Sequence, residues 1–275
     1  MPTLDLLKSK YSYKKNLMLL GCPVAPLTLE ETILEIHKII QTRTPHQHCV
    51  VNAGKMVLMH RDPLLRDIVK NCCLINADGQ SVVWALQLKG GKIPERVTGI
   101  DIMERLFREA HEKKYRVFFL GSTQEIIDSV LKIVTLKFPS LVIAGSHHGY
   151  FNDSDNPAIV SQVAQSKADI LFVAMGSPKK EYWLFQNLEK LNVPFCMGVG
   201  GSFDVLAGKA KRAPLILQRM GMEWFYRFIQ EPRRLWRRYL LDNLIFSFLV
   251  FLDIFKIRIL LKSESSQELK DKEIT

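Results

Sequence analysis

Residues 171–214 read LFVAMGSPKKEYWLFQNLEKLNVPFCMGVGGSFDVLAGKAKRAP, and this stretch decides the fold. An apolar run from Ile170 to Met175 stops at Gly176, and Pro178 is placed to open a helix at its first turn. A second apolar run, Phe195 to Met197, stops at Gly198-Val199-Gly200-Gly201. Short apolar runs that end in glycine, each followed by a helix, describe a parallel sheet with its binding crevice at the carboxyl ends of the strands. The glycines admit a ligand close to the backbone, and helix N-termini there favour phosphate. Lys179, Lys180, Lys209, Lys211 and Arg212 crowd the same two loops. Together the loops argue for a nucleotide or sugar-phosphate site; the alternative is an ordinary α/β crossover with solvated lysines.

Working outward, the same alternation covers most of the chain. Strands are expected at Leu17–Leu20, His48–Asn52, Cys73–Asn76, Arg116–Leu120 and Leu141–Ala144. Between them fall a helix capped by Thr28 with Glu31 three residues on, and helices at Pro63–Val69, from Ser81, and at Asp101–Glu112. Ile126, Ile127, Val130, Leu131 and Val134 make one apolar helical face, and Asn156–Ser166 is a further helix. This pattern predicts an α/β fold with a doubly wound, mostly parallel, Rossmann-like sheet over residues 17–214. Residues 1–16 read as a flexible N-terminus, 215–262 as a helical C-terminal appendage and 263–275 as a polar tail.

The formal net charge of +10 is unevenly spread. Residues 209–262 hold twelve Lys/Arg against four Asp/Glu. Such a basic segment suits an anionic partner. Within it, LLDNLIFSFLVFLDIFKIRILLK is broken by Asp242, Asp253, Lys256 and Arg258. That pattern predicts an amphipathic helix lying in an anionic membrane surface rather than a span; the alternative is a helix docked on the domain's own core. Apolar residues interleaved with the arginines suit lipid better than phosphodiester, so no nucleic acid is expected as a partner. The N-terminal MPTLDLLKSKYSYKK lacks the apolar region of a signal peptide. Five cysteines without a CxxC pair read as buried free thiols of a reducing compartment.

Two aspartates are candidates for chemistry. Asp78 lies where a strand ends and the chain turns with Gly79; it is either a catalytic carboxylate or a turn residue capping the next helix. Asp204 follows Gly200, Gly201, Ser202 and Phe203; it either binds ribose or substrate hydroxyls or caps a helix. Asp153-Ser154-Asp155 matches the acidic pattern by which many sugar-nucleotide transferases hold a metal, yet NDSDNP has the composition of a polar turn, and no metal site is expected there. The glycine cluster does not have GxGxxG spacing, and no acid follows at the usual distance, which disfavours a dinucleotide oxidoreductase.

With these residues collected, the chain resembles the WecG/TagA/CpsF family of bacterial glycosyltransferases, glycosyltransferase family 26. The resemblance runs from about Asn16 to Tyr239 and rests on VNAGK (51–55), ADG (77–79), RVTG (96–99), GSPKKE (176–181), MGVGGSFDVLAG (197–208), KRAP (211–214) and MEWFYR (222–227). VNAGK, ADGQSVV, GYF and VAMGSPK are most similar to the branch that transfers N-acetyl-D-mannosaminuronic acid in enterobacterial common antigen synthesis. The resemblance implies an inverting transfer without metal or other cofactor. The donor would be a UDP-sugar and the acceptor N-acetylglucosamine on undecaprenyl diphosphate, at the cytoplasmic face of the bacterial inner membrane. UDP-N-acetylmannosamine and UDP-glucuronate are the alternative donors. By motif, Asp78 would be the general base, Asn52 and Arg96 would line the sugar pocket, and Asp204 with Gly200 and Gly201 would hold the uridine nucleotide. Arg227, Arg234 and Arg237 would meet the diphosphates, and Arg212 would be a further substrate-binding residue. Two positions depart from the family: Lys180 stands where glutamine is usual, and Val50 where many members have threonine. A lysine there either pairs with a uronic acid carboxylate or marks a different donor sugar.

Overall fold

The strand residues of this chain face two cores in strict alternation, and that sets the architecture. Phe119, Phe172, Phe195 and Met197 pack with one set of helices. Phe118, Leu120, Leu171, Val173 and Cys196, their neighbours along the same strands, pack with the other. A period of two with both faces apolar is what a parallel sheet covered by helices on each side requires.

The computed structural model describes residues 13, 15–230, 232–233 and 240–255. The predicted polar tail (263–275) and nearly all of the predicted flexible N-terminus lie outside the described residues. Six strands, β3 (His46–Val51), β4 (Leu74–Ala77), β5 (Arg116–Gly121), β6 (Val142–His147), β7 (Ile170–Ala174) and β8 (Phe195–Gly198), form one sheet in the order β4-β3-β8-β7-β5-β6. Every neighbouring pair is parallel. The helices α1 (Leu29–Gln41), α5 (Gly99–Lys113) and α6 (Gln124–Lys137) cover one face. The other face carries α2 (Ala53–Arg61), α3 (Pro63–Lys70), α4 (Gln80–Leu88), α7 (Asn156–Gln165) and α8 (Lys179–Leu191). Thr28 caps α1 in the expected capping box with Glu31. All five cysteines are free and buried, as expected. Short α9 (Ser202–Leu206), α10 (Leu215–Arg219) and α11 (Glu223–Gln230) follow β8.

Two elements differ from the reading of the sequence. The first strand, β1 (Leu17–Leu19), stands outside the sheet and pairs antiparallel with β2 (Cys22–Val24), turning at Leu20 and Gly21. The segment after β3 continues directly as α2, because Asn52 is a helix cap as well as a strand end.

The helix over 242–255 docks on the domain's own core, the alternative that its sequence left open. Phe246 and Val250 are buried in the core with Leu19, Cys22, Val24 and Leu86. Asp253 accepts a hydrogen bond from Leu20 N at 3.3 Å and pairs with Lys89 Nζ at 2.5 Å. The opposite face exposes Leu244, Phe248, Phe251, Leu252 and Phe255. One helix therefore docks on the core and presents a second apolar face outward. Phe246→Ala is expected to cost about 3–5 kcal/mol, read from the midpoint of urea unfolding, because it leaves a cavity in a packed core.

Candidate active site

The carboxyl ends of β4, β3, β8 and β7 lie side by side, and the strand order reverses across them. Open parallel sheets bind ligands in the crevice at such a reversal. Asn52 leaves the end of β3. Its Oδ1 accepts from Lys55 N at 3.0 Å, capping α2, and its Nδ2 donates to Asp78 Oδ2 at 3.3 Å. Asp78 follows β4 and carries the ladder one step further, its N–H donating to Val51 O at 2.9 Å. A Cβ on Gly79 would come to 3.0 Å of Asn52 Cβ, so glycine is what lets the two strand ends close on each other.

Asp78 does not cap the helix that follows it. The N-cap of α4 is Gly79, without a side-chain bond. Instead Asp78 Oδ1 accepts the N–H of Gly99, at 3.1 Å, in the first turn of α5. That N–H has no partner within its helix. The carboxylate is thus held from both sides and only half-buried, in a geometry suited to taking a proton from an incoming hydroxyl.

Arg96 approaches the same corner, with Nη1 3.5 Å from Asp78 O and 3.1 Å from Glu223 Oε2. It ties α11 to the end of β4. Gly221, just before α11, packs on the side chain of Gln80. Arg212 pairs with Asp101 and with Glu104 (3.3 Å) on α5. Asp204 lies in the first turn of α9 rather than at its cap, and its Oδ2 sits over Gly201. Gly200 takes φ +55°, which glycine adopts without strain. The structure therefore brings Asn52, Asp78 and Arg96 together around the β3 and β4 ends, with Lys180, Gly200, Gly201 and Asp204 around the β7 and β8 ends. The backbone of Arg227 lies in α11; Arg234 and Arg237 lie outside the described residues.

Beneath the β7 and β8 loops runs a buried charged network. Lys55 Nζ is 2.7 Å from Glu181 Oε1, and Lys180 Nζ is 3.2 Å from the same oxygen. Ser177 Oγ donates to Glu181 Oε2 at 2.8 Å, and Lys55 Nζ lies 3.2 Å from Cys49 Sγ. Burial works to raise the Glu181 carboxyl, but the two lysines bring it down to about 2. Burial works to lower the Lys55 ammonium, but Cys49 and Glu181 hold it above its ordinary value. The hydrogen bond from Cys72 draws the Cys49 thiol down to about 7. Reading the sequence singled out none of Lys55, Glu181 and Glu223 as site residues, although each sits in a quoted motif. The signal was available for Lys55, a charge that closes the otherwise uncharged string VNAG.

Asp153-Ser154-Asp155 follows β6, at the opposite sheet edge from β4, and Asp155 Oδ2 accepts Asn152 N at 3.0 Å in a turn before α7. Among the described residues no helix is long and apolar enough to cross a membrane.

Residues 17–259 match the family model described as Glycosyl transferase WecG/TagA/CpsF family. A Bacillus subtilis (strain 168) protein is 34% identical over 174 residues, 63% of this chain and 67% of the relative. A Staphylococcus aureus (strain MW2) protein is 33% identical over 171 residues, 62% and 66% of the two chains. A third, from Bacillus spizizenii, is 34% identical over 180 residues, 66% and 69%. All three carry the name N-acetylglucosaminyldiphosphoundecaprenol N-acetyl-beta-D-mannosaminyltransferase. The aligned region spans about two thirds of the length of these relatives.

Proposed function

Because this chain belongs to the WecG/TagA/CpsF family of glycosyl transferases, we propose that it moves an N-acetylmannosamine-type sugar from UDP to N-acetylglucosamine on undecaprenyl diphosphate. The observation that carries the reading is the Asp78 carboxylate, fixed by Asn52 Nδ2 and Gly99 N at the crevice of the sheet. The acceptor hydroxyl oxygen attacks the anomeric carbon, the bond to UDP breaks from the opposite side, and Asp78 takes the proton. Asn52 and Arg96 border the sugar, and Asp204 with Gly200 and Gly201 borders the nucleotide. Arg212, Arg227, Arg234 and Arg237 are proposed for the diphosphates, supplying charge stabilisation without a metal. The names of the relatives support N-acetylmannosamine as the sugar; the motifs of the chain favour its uronic acid. Turnover of a short-chain lipid-diphosphate acceptor with a panel of UDP-sugars decides between them. Transfer with no member of the panel would count against the reading.

Turnover is expected to survive excess EDTA. The acidic run at 153–155 is placed in a turn beyond the far edge strand, and the basic segment supplies cations instead. Loss with EDTA and recovery with magnesium or manganese would contradict this.

The outer face of the helix over 242–255 supports peripheral membrane contact, proposed to be at the cytoplasmic face. Phe248 and Phe251 are 61% and 54% exposed and belong to a face the core does not use. Inserting each would contribute about 1.5–3 kcal/mol. Changing both to aspartate is expected to abolish co-sedimentation with anionic vesicles while leaving the thermal midpoint near that of the parent.

A further inference from the structure

Under the crevice one carboxylate oxygen, Glu181 Oε1, is shared by two ammonium groups. Lys55 is contacted by Glu181 on one side and by Cys49 Sγ on the other. Lys180 has a share in Glu181 alone among the contacts just described, at 3.2 Å. Its side chain is only 10% exposed. The stem reaches that position because residue 198 is glycine: a Cβ there would come to 2.6 Å of Lys180 Cδ. The head lies 3.9 Å from where a Cβ on Gly200 would sit, and Met175 O is at the same distance from that point. The ammonium is therefore placed between the loops that leave β7 and β8.

We infer that Lys180 Nζ is the cationic floor of an oxyanion subsite between the β7 and β8 loops, filled by an anionic group of the donor. The inference rests on the glycosyl-transfer reading and assigns what one wall of that site recognises. Burial, and then the neighbouring Lys55 charge, push the Lys180 ammonium below its ordinary value. A bound oxyanion gives Lys180 a negative partner of its own, where it otherwise shares Glu181 Oε1 with Lys55. A phosphate of UDP and a carboxylate on the sugar offer the same chemistry, since an ammonium is a compact donor that either can accept from.

The test uses the full chain with Lys180→Gln, and Lys180→Met as a second variant that keeps the stem against Gly198. Circular dichroism reports folding. Isothermal titration gives Kd for UDP and uridine, and steady-state kinetics give kcat/KM for UDP-N-acetylmannosamine and UDP-N-acetylmannosaminuronate. Removing the charge is expected to cost about 10- to 100-fold. A loss confined largely to the uronate donor puts the anion on the sugar. Equal losses on both donors, with a matching rise in Kd for UDP but not for uridine, put it on the diphosphate. If a folded variant keeps both kcat/KM values and the Kd for UDP within twofold of the parent, the subsite is overturned and Lys180 serves only the buried network. A parent that binds UDP but transfers neither sugar contradicts the glycosyl-transfer reading, and Lys180 is then judged on the Kd for UDP alone. A parent that neither binds nor transfers overturns both.

Discussion

Asp78→Asn is expected to lower kcat by about 10²- to 10⁴-fold, the contribution of a positioned general base to attack by a poor nucleophile. The substitution preserves size, and the asparagine oxygen can still accept Gly99 N–H, which Asp78 now holds at 3.1 Å. It places an amide N–H₂ against Asn52 Nδ2, which now donates to Asp78 Oδ2. One hydrogen bond is lost, so stability should fall by only about 1 kcal/mol. Because Asp78 does not cap α4, the strand end should survive. Steady-state kinetics beside a thermal scan checks both parts. Normal turnover would move the base elsewhere.

Glu181→Gln is expected to lower the unfolding free energy by about 3–5 kcal/mol, the effect of removing one partner from a buried pair and leaving charge uncompensated. Here two ammonium groups lose their common carboxylate. Adding Lys55→Met to Glu181→Gln should recover part of the loss by removing one of those charges. The pH dependence has a definite sign. Glu181 goes from an ordinary value of 4.5 when unfolded to about 2 when folded. Its contribution is therefore fully present above pH 4.5 and is lost as pH falls through about 2. Urea unfolding between those limits should show the parent losing stability more steeply than Glu181→Gln. Parallel curves would mean that the pair does not hold Glu181 ionised.

The parallel sheet was legible because β5, β7 and β8 are short, largely apolar and stopped at glycine, the trace that a sheet covered on both faces leaves. The crevice was legible for the same reason, since Asp78 and Gly198–Gly201 mark strand ends. Other features were not. Ala53-Gly54 reads as a break after a strand, so α2 was hidden by a residue, Asn52, that serves strand, helix and Asp78 together. Strands of three residues, such as β1 and β2, are too short to show alternation. The segment over 242–255 carries apolar residues on both of its faces, and its few charges do not say that Phe246 faces the core while Phe248 faces out. The pairing of Arg212 with Asp101 and Glu104 joins residues more than a hundred positions apart, which charge counting does not see. Burial of Lys180 depends on the Cβ that Gly198 lacks, and a lysine in a sequence otherwise reads as solvated.

The most direct test is mass spectrometry of the lipid product with parallel measurement of UDP release, using a short-chain acceptor, both mannosamine donors and the Asp78→Asn variant alongside the parent. We predict one sugar added to the acceptor for each UDP released by the parent. The Asp78→Asn variant should slow both equally by about 10²- to 10⁴-fold. UDP release without a lengthened lipid, or an Asp78→Asn variant that matches the parent, would contradict the assignment of this crevice as a glycosyl-transfer site with Asp78 as its base.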